Sequence, residues 1–587
     1  MNYPLWDVPA PGLLIAAVGI LHVFISHFAV GGGLFLVLAE RKARREQDAV
    51  LLGFLRARSR DFVLLTLVAG ALTGVGIWLT IGLVQPQAVS ALVVTFVWAW
   101  AIEWTFFAVE IAAASVYFYG WDRLSPRQHL AVGWVYAASA WASLVVISGI
   151  LSFMLTSGAW PETHRLADGF FNPTFLPTVA LRSAVAAGLA GLYVLFAAAF
   201  LGDAELKSRL CRWCATRWIA PAALAVALAL VWFLSAAAAA DVAVAETLTA
   251  RDAAPLSVLS GVFAPANVGQ PVVRMAARSA IVSAVALLLL ALGVAALRPR
   301  HYGRLAASLL MLLGLVAMGG GEWVREGLRK PWVIDRYLFV NGIRVSAVPA
   351  AAAGQDPFSV GAIDRRGVLA SSPWSEVPAG FRPGDPSFER LLPAERAALE
   401  AQAGQVVFAV ECAACHTLDG HLSIRSLVRG RGVAALETVL EQTARPVASD
   451  GRAASWSEPG VRVVTWRGRR MPPFAGTRAE QHALAVYLSR LGGDSAAGLD
   501  SPAPPGGGLA AFEAHCSACH GAGAPWPIQP RLRGRSAAEL YELIGRLPEL
   551  REEMPPFSGS ENERRALAAY LGRLSAGAGA DPGEVMP

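Results

Sequence analysis

The amino-acid sequence predicts an all-α protein, in which a polytopic bundle of about eight transmembrane helices precedes two small α-helical domains. Long apolar stretches fill the first 322 residues, the composition changes to Pro, Gly, Arg and Ser from about Arg325, and one sequence pattern then occurs twice. Of the 587 residues, 55% are hydrophobic and only 16% are charged, against roughly 25% charged in soluble domains. This balance excludes disordered, collagen-like and coiled-coil classes and argues against a soluble enzyme.

The apolar part contains eight stretches with the length of a membrane span. A helix that crosses the bilayer needs about 20 mostly apolar residues. The stretches are roughly 11–39, 62–84, 91–120, 128–157, 178–202, 218–240, 273–297 and 305–322. The first ends in a basic cluster and not at a small-residue cleavage site, so we expect it to be retained in the protein.

The charges of the loops predict the orientation of this bundle. Sixteen Lys and Arg residues lie in the odd-numbered turns, whereas the alternate turns hold only Arg165 and Arg251. The sixteen are Arg41, Lys42, Arg44, Arg45, Arg56, Arg58, Arg60, Arg123, Arg127, Lys207, Arg209, Arg212, Arg217, Arg298, Arg300 and Arg304. Because basic loops stay in the cytoplasm, the N-terminus and everything after the eighth span are predicted on the periplasmic side of a bacterial cytoplasmic membrane. The excess of basic residues lies in the apolar half, so membrane topology explains it and no nucleic-acid partner is predicted.

Two copies of one pattern follow a connector, residues 336–394, whose turn-rich part from 350 to 390 is predicted to be structureless. The first copy, 395–495, contains Cys412-Ala-Ala-Cys415-His416, then Met471-Pro-Pro-Phe474, then an amphipathic helix through Tyr487. The second copy, 506–578, contains Cys516-Ser-Ala-Cys519-His520, then Met554-Pro-Pro-Phe557, then a helix through Tyr570. The cysteines repeat at an offset of 104 and the methionines at 83, and Pro504-Pro-Gly-Gly-Gly508 forms a flexible link.

Cys-x-x-Cys-His is the attachment signal of a c-type haem. Two thiols on one helical turn form thioethers to the haem, and the following His416 or His520 then lies under the iron. Met471 and Met554, each held by two prolines, are predicted as the opposite axial ligands. A disulfide and a zinc site are the alternatives, but no second Cys pair completes a tetrahedral site. The motifs therefore predict two covalently attached haems c, which bacteria attach outside the cytoplasmic membrane.

The pair Cys211 and Cys214 lacks a following histidine and lies in a predicted cytoplasmic loop. We predict that these two residues are free thiols.

Histidines inside a membrane span are functional candidates, because ionisable groups are costly in lipid. His22 and His27 lie five positions apart in the first span, so they face different directions and do not both serve one metal. The natural interpretation is one haem ligand and one hydrogen-bonded core histidine.

Two acidic residues lie in the third span. Glu103 and Glu110 are seven positions apart, hence on one face and about 10 Å apart along the axis. Such a pair suits a proton path; the alternative is ion pairing with an intramembrane arginine. The candidate arginines are Arg182, Arg274 and Arg278. Glu322, at the end of the eighth span, is expected to be solvated at the outer surface.

The membrane half, about residues 10–335, resembles subunit I of the cytochrome bd quinol oxidases. The resemblance is carried by Leu21-His22-Val23-Phe24, Gly31–Leu38, Glu40, Thr73-Gly74, Glu110, Gly120-Trp121-Asp122-Arg123-Leu124 with Gln128-His129, and Arg329-Lys330-Pro331-Trp332. The C-terminal half, about 395–575, resembles class I cytochromes c. The fold is thus identified as a bd-like bundle followed by two small α-helical cytochrome c domains.

The bd resemblance implies roles for a few residues. His22 matches a histidine that ligates a haem of the oxygen-reducing pair, and Glu110 matches a proton-path residue. Glu103 is one position out of register with a second such residue, and Arg274 approximately matches an arginine beside the quinol-side haem. The resemblance therefore implies one haem b, or a related haem, in the membrane domain.

Several family positions are altered, which implies that the quinol-side haem is absent. Arg182 stands where the family has that haem's histidine, and Met275 lies one position away from its methionine. Gly319 replaces the glutamate ligand of the eighth helix, and Trp78 replaces a second-helix glutamate. The external loop 241–272 is short and lacks the family's quinol-loop pattern.

We therefore expect a membrane-bound respiratory oxidoreductase that passes electrons between external c haems and an intramembrane haem b, with oxygen as a possible acceptor. The reverse flow, from membrane quinol to the c haems, stays open. The alternative is a non-catalytic membrane anchor that carries two c haems within a larger complex. The expected partners are membrane lipid, a second membrane subunit or respiratory complex, and a soluble c-type cytochrome or quinol.

Overall fold

The computed structural model describes residues 11–242, 244–248, 258, 261–263, 271–345, 359–372, 376–420, 422–429, 431–441, 444–447, 462–465, 471–492, 507–516, 520, 528, 532, 535–550, 554, 557 and 559–577. Its described residues from 12 to 338 form one compact unit, the bundle, and those from 339 onward belong, with Pro11, to a second unit.

The bundle has the predicted number of spans. Within the described residues, eight helices are long and apolar enough to cross a membrane. In chain order, spans 1 to 8 are Gly12–Arg45, Ala49–Val84, Val97–Tyr119, Pro126–Phe153, Phe175–Ala198, Ala204–Ala239, Val272–Ala296 and Arg304–Arg329. The prediction of a polytopic α-helical bundle is therefore confirmed.

Shorter elements interrupt or join these spans. One π-helical segment lies within each of spans 2, 6 and 7: Leu65–Gly70, Ala215–Ile219 and Ala291–Ala296. The connecting helices are Pro86–Thr95, Trp160–Thr163, Leu166–Phe170, Val244–Leu248 and the 3-10 turn Pro299–His301. The short strands Trp332–Ile334 and Leu338–Phe339 follow span 8.

Local sequence explains where some spans begin. Ser125 and Gln128 form a capping box at the start of span 4, with Pro126 in the first turn, where its missing N–H costs nothing. At the start of span 6, Asp203 accepts hydrogen bonds from the backbone N–H groups of Glu205 and Leu206.

Three consecutive glycines let span 1 approach three other spans. A Cβ atom on Gly31 would lie 1.9 Å from the backbone oxygen of Ala186 in span 5, and one on Gly32 would lie 1.9 Å from the ring of Phe62 in span 2. A Cβ on Gly33 would lie 3.1 Å from the ring of Tyr136 in span 4. Small residues permit such close helix contacts in a membrane bundle.

The basic turns gather at one end of the bundle. The turn after span 1 meets the turn after span 5 through an ion pair of Arg209 with Asp48. Arg56, near the same end of span 2, pairs with Asp122 after span 3. The Arg304 guanidinium, after span 7, lies 5.0 Å from the centre of the Phe200 ring. All four basic turns therefore lie at the same end of the bundle.

The second unit contains the two copies of the repeat. The helices of the first copy are Pro393–Glu411, Ile424–Val428, Val433–Glu441 and Arg478–Leu491. Those of the second copy are Gly507–His515, Ala537–Gly545, Leu547–Leu550 and Glu561–Gly577. The strands Ala444–Val447 and Arg462–Thr465 pair antiparallel in the part of the first copy that carries its extra residues.

The connector is not structureless, so that prediction is wrong. Its helices are Val360–Arg366, Val368–Ser371 and Pro386–Glu389. Turn residues dominate its composition, but the buried side chains of Val360, Ile363 and Val368 give the first two helices an apolar face.

The two copies share one helix crossing. A Cβ on Gly404 would lie 2.0 Å from the backbone oxygen of Ala483, and one on Gly508 would lie 2.2 Å from that of Ala566. One turn later, the ring centres of Phe408 and Tyr487 are 5.8 Å apart. The ring centres of Phe512 and Tyr570 are 5.7 Å apart. Residues related by the offsets of 104 in the first helix and 83 in the last helix therefore make equivalent contacts in the two copies.

Gly404→Ala is expected to destabilise the first copy by about 1–3 kcal/mol, because backbone on the facing helix occupies the place of the new Cβ. Thermal unfolding of the full chain, followed by haem absorbance, measures the effect. Gly508→Ala should act equally on the second copy. Gly432→Ala is the control, since nothing lies within 4 Å of its Cβ, and equal midpoints for Gly404→Ala and Gly432→Ala would contradict the expectation.

Candidate functional site

The predicted haem attachment motif of the first copy directly follows a helix. The helix Pro393–Glu411 ends at Cys412. The backbone N–H groups of Cys415 and His416 donate to the carbonyl of Cys412 over 3.1 and 2.9 Å, so all three residues share one turn. Cys412 and Cys415 are both free cysteines, as thioether attachment requires. No group of three or more His, Cys, Asp or Glu that could hold a metal ion occurs among the described residues.

The orientation of His416 fits an iron ligand. Its Nδ1 lies 2.9 Å from the carbonyl oxygen of Leu422. A carbonyl oxygen only accepts, so Nδ1 carries the proton and Nε2 carries the lone pair. Metal-ligating histidines commonly donate their other ring N–H to a carbonyl in this way, which fixes the tautomer and the orientation of the ring.

The second copy repeats the same turn. The helix Gly507–His515 leads into Cys516, and the backbone N–H of His520 donates to the carbonyl of Cys516 over 2.8 Å. Cys519 lies outside the described residues. Met471 and Met554 are both half-buried, each shortly before the last helix of its copy. The residues present in both copies thus fit the haem c that the motif predicts.

In the bundle, His22 has a defined tautomer. Its Nδ1 lies 3.0 Å from Thr73 Oγ1, and that hydroxyl donates to the Ala69 carbonyl over 2.7 Å. Since the hydroxyl proton is used, Nδ1 must donate, which leaves the lone pair on Nε2. A Cβ on Gly74 would lie 3.2–3.9 Å from three ring atoms of His22, so this glycine lets span 2 pack closely against the ring. These residues fit a haem ligand.

His27 has the contact expected of a core histidine. It is buried, and its Nδ1 lies 2.8 Å from the carbonyl oxygen of Val23 in its own helix.

The two acidic residues of span 3 are not ion-paired with arginine within the described part of the chain. Glu103 accepts a hydrogen bond from Ser143 Oγ over 2.9 Å. Glu110 is buried, two turns further along the same helix. The alternative pairing with Arg182, Arg274 or Arg278 is therefore not what the structure shows.

Arg182 instead pairs with Glu322. The two side chains approach to 3.6 Å, and Arg325 binds the same carboxylate at 2.9 Å. The expectation that Glu322 is solvated at the outer surface is wrong: its side chain is 19% exposed and carries two ion pairs. Because its charge is compensated within the bundle, span 8 continues beyond it to Arg329.

Arg274 is buried on span 7, one turn before Arg278. Arg278 donates to the carbonyl of Val262 over 2.7 Å. The role predicted for Arg274 beside a haem stays a prediction.

A buried polar network, not predicted from the sequence, lies toward the basic end of the bundle. Glu40 is fully buried and accepts hydrogen bonds from Tyr117 at 2.8 Å, His129 at 2.9 Å and Arg44 at 2.6 Å. His129 Nε2 lies 2.9 Å from the Tyr117 carbonyl. Both ring nitrogens of His129 thus face acceptor oxygens. Glu40 and His129 belong to the motifs that carry the family resemblance, which was the available signal.

Comparisons with known proteins agree with this architecture. The family model described as "Cytochrome bd terminal oxidase subunit I" matches residues 13–255. The family model described as "Cytochrome C oxidase, cbb3-type, subunit III" matches residues 503–571. Residues 13–255 are thus similar to cytochrome bd subunit I, and residues 503–571 are similar to a cbb3-type cytochrome c subunit.

Among solved structures, the bd oxidase from Geobacillus thermodenitrificans is similar, with 19% sequence identity over 57% of this chain and 89% of that chain, at a TM-score of 0.39. A comparison with curated protein sequences gives no match.

The matched domains imply a multi-pass membrane protein that binds haem and takes part in respiratory redox chemistry. The segment matched to the bd subunit I domain contains His22, Glu103 and Glu110. The segment matched to the cytochrome c domain contains the attachment motif and Met554 of the second copy. The first copy lies outside both segments, and its motif and helix crossing relate it to the second.

Proposed function

We propose that this protein is a bd-like respiratory oxidoreductase in which electrons pass between two covalently attached haems c and a haem b at His22. The observation that carries the proposal is the geometry of His22, whose Nδ1 is held by Thr73 so that the Nε2 lone pair suits a ligand, inside a domain that matches cytochrome bd subunit I. The direction from a soluble c-type cytochrome inward is preferred, since Arg182 stands where a quinol-side haem would need a histidine.

The chain's own residues have separate tasks in this scheme. A haem bound at His22 would supply an iron for electron transfer and for reduction of oxygen. Thr73 orients the imidazole through its hydrogen bond to Nδ1. Glu110 holds a proton in a buried place, and Glu103, anchored by Ser143, lies two turns away on the same helix as the next proton-carrying group.

We also propose that the cytochrome c copies lie in the periplasm. The gathering of all four basic turns at one end of the bundle supports an orientation with that end in the cytoplasm. A second membrane subunit or a respiratory complex is the expected partner within the lipid bilayer.

The pyridine haemochrome spectrum of the purified chain tests the proposal. We expect protohaem in addition to haem c in the wild type, and loss of the protohaem in His22→Ala because its ligand is gone. His27→Gln, in the same span, is the matched control and should keep the protohaem. Oxygen consumption with reduced cytochrome c then tests turnover by the intact complex.

One observation favours a second function, a non-catalytic membrane anchor that carries two c haems. The Arg182–Glu322 pair fills part of the bundle interior with charge at a position that would otherwise suit a haem ligand. Haem c without any protohaem in the wild type would support this anchor and contradict the oxidoreductase.

A further inference from the structure

Three carboxyl groups surround the backbone that follows Met471 in the first copy. Gly476 donates its N–H to Asp364 Oδ1 over 3.3 Å, and Thr477 donates to Glu480 Oε2 over 2.9 Å. The backbone of Ala475 faces the Glu411 carboxyl, whose Oε1 is buried. Three successive peptide groups, beginning four residues after the predicted methionine ligand, thus each meet a different carboxyl group.

One of these carboxyl groups comes from the connector, and a second binds the connector. Asp364 lies in the connector helix Val360–Arg366. Glu480 accepts hydrogen bonds from the backbone N–H groups of Val368 and Leu369, over 3.0 and 2.9 Å, at the start of the next connector helix. The connector and the methionine loop therefore share the carboxylate of Glu480.

Gly367 makes this contact possible. It has a φ of +91°, and a Cβ there would lie 2.6 Å from Glu480 Oε1. A side chain at this position would both strain the backbone and displace the carboxylate.

The third carboxyl group links the loop to the haem attachment turn. Glu411 is the residue before Cys412, and it accepts a hydrogen bond from Asn341 Nδ2 over 2.9 Å. Burial raises the pKa of the Glu411 carboxyl well above its ordinary value. Asn341 precedes the connector helices in the chain, so two separate parts of the connector contact the first copy.

The second copy holds its corresponding loop differently. Glu563 forms a capping box with Ser560, as Glu480 does with Thr477. At the offset of 104, however, His515 takes the place of Glu411, and its ring packs 5.0 Å from that of Phe557. Asp364 and Glu411 are thus particular to the first copy, whereas Glu480 has a counterpart in Glu563.

We propose that the connector is a positioning device for Met471: Asp364 and Asn341 fix the loop that presents this sulfur to the first haem c. The inference rests on the proposed function, since it takes Met471 as the axial ligand. A thioether is a weak ligand that raises the reduction potential of the haem while it is bound. A loop tied by carboxylates on consecutive peptide groups has less freedom to withdraw the sulfur.

The test uses the full chain with Cys516→Ser and Cys519→Ser, so that only the first haem c reports. In the ferric state, the parent should show the red charge-transfer band of methionine ligation. Asp364→Ala should lose most of that band and lower the midpoint potential of the haem. Asp364→Asn keeps an acceptor oxygen for Gly476 and should restore both. Asn341→Ala removes the hydrogen bond to Glu411, a contact separate from that of Asp364, and should therefore also weaken the band.

Glu389→Ala is the matched control, because this connector carboxylate is exposed and pairs with Arg396 instead of the loop. It should leave band and potential unchanged. If the parent shows the band and both Asp364→Ala and Asn341→Ala keep it fully, the positioning role of the connector is wrong, whereas ligation by Met471 stands. A parent without the band would overturn the ligation by Met471 and this inference with it.

Discussion

Replacing Cys412 and Cys415 by serine is expected to remove one of two covalently bound haems. A thioether needs the cysteine sulfur, and serine preserves the size of the side chain without offering that bond. Both thiols are free and lie on the turn that presents His416. Mass spectrometry of the intact polypeptide should therefore show the mass of two haems in the wild type and of one in the double variant.

The chain provides its own controls for this measurement. Cys516→Ser with Cys519→Ser should also leave one haem, and all four substitutions together should leave none. Cys211→Ser with Cys214→Ser should leave both, because these buried cysteines have no histidine after them. A wild-type polypeptide without added porphyrin mass would refute covalent attachment altogether.

The second large effect concerns the half-buried carboxylate of Glu322, which pairs with the buried Arg182. Glu322→Leu leaves the guanidinium groups of Arg182 and Arg325 without their shared partner inside the bundle. Breaking a buried ion pair by removing one member costs about 3–5 kcal/mol, because the remaining charge is uncompensated. Unfolding of the purified protein by titrating denaturing detergent into mild detergent measures the loss.

Matched variants separate charge from packing. Glu322→Leu combined with Arg182→Leu should recover part of the stability, since one of the two unpaired charges is gone. Glu162→Ala breaks an exposed pair with Arg336 and should cost only about 0–1 kcal/mol. Equal losses for Glu322→Leu and Glu162→Ala would show that the Glu322 pairs contribute no more than a surface contact.

The spans and the repeat could be predicted because their signals are local. An apolar run of sufficient length is visible in the sequence whatever it packs against. The repeat offsets of 104 and 83 were enough to predict two related domains, and Gly404 and Gly508 confirm the correspondence in space.

Long-range pairing was the part that the sequence concealed. The sequence predicts that span 8 ends at its first acidic residue, Glu322. The arginine that compensates this charge, Arg182, lies in another helix 140 positions earlier, so the sequence does not reveal the pairing. The connector was predicted structureless because its turn residues are local signals, whereas the contacts that order it, such as Glu480 with Val368, reach across 112 positions.

The glycine run of span 1 has a consequence for His22. Gly31, Gly32 and Gly33 meet three different helices, so together they fix how far the first span can slide or spin about its axis. His22 precedes Gly31 by nine residues on the same continuous helix. Inserting one alanine between them would rotate the imidazole by about 100° around the helix axis and shift it by about 1.5 Å along that axis. The close contacts of the glycines would stay unchanged. The position of the His22 ring in the bundle thus depends on contacts more than two helical turns away from it.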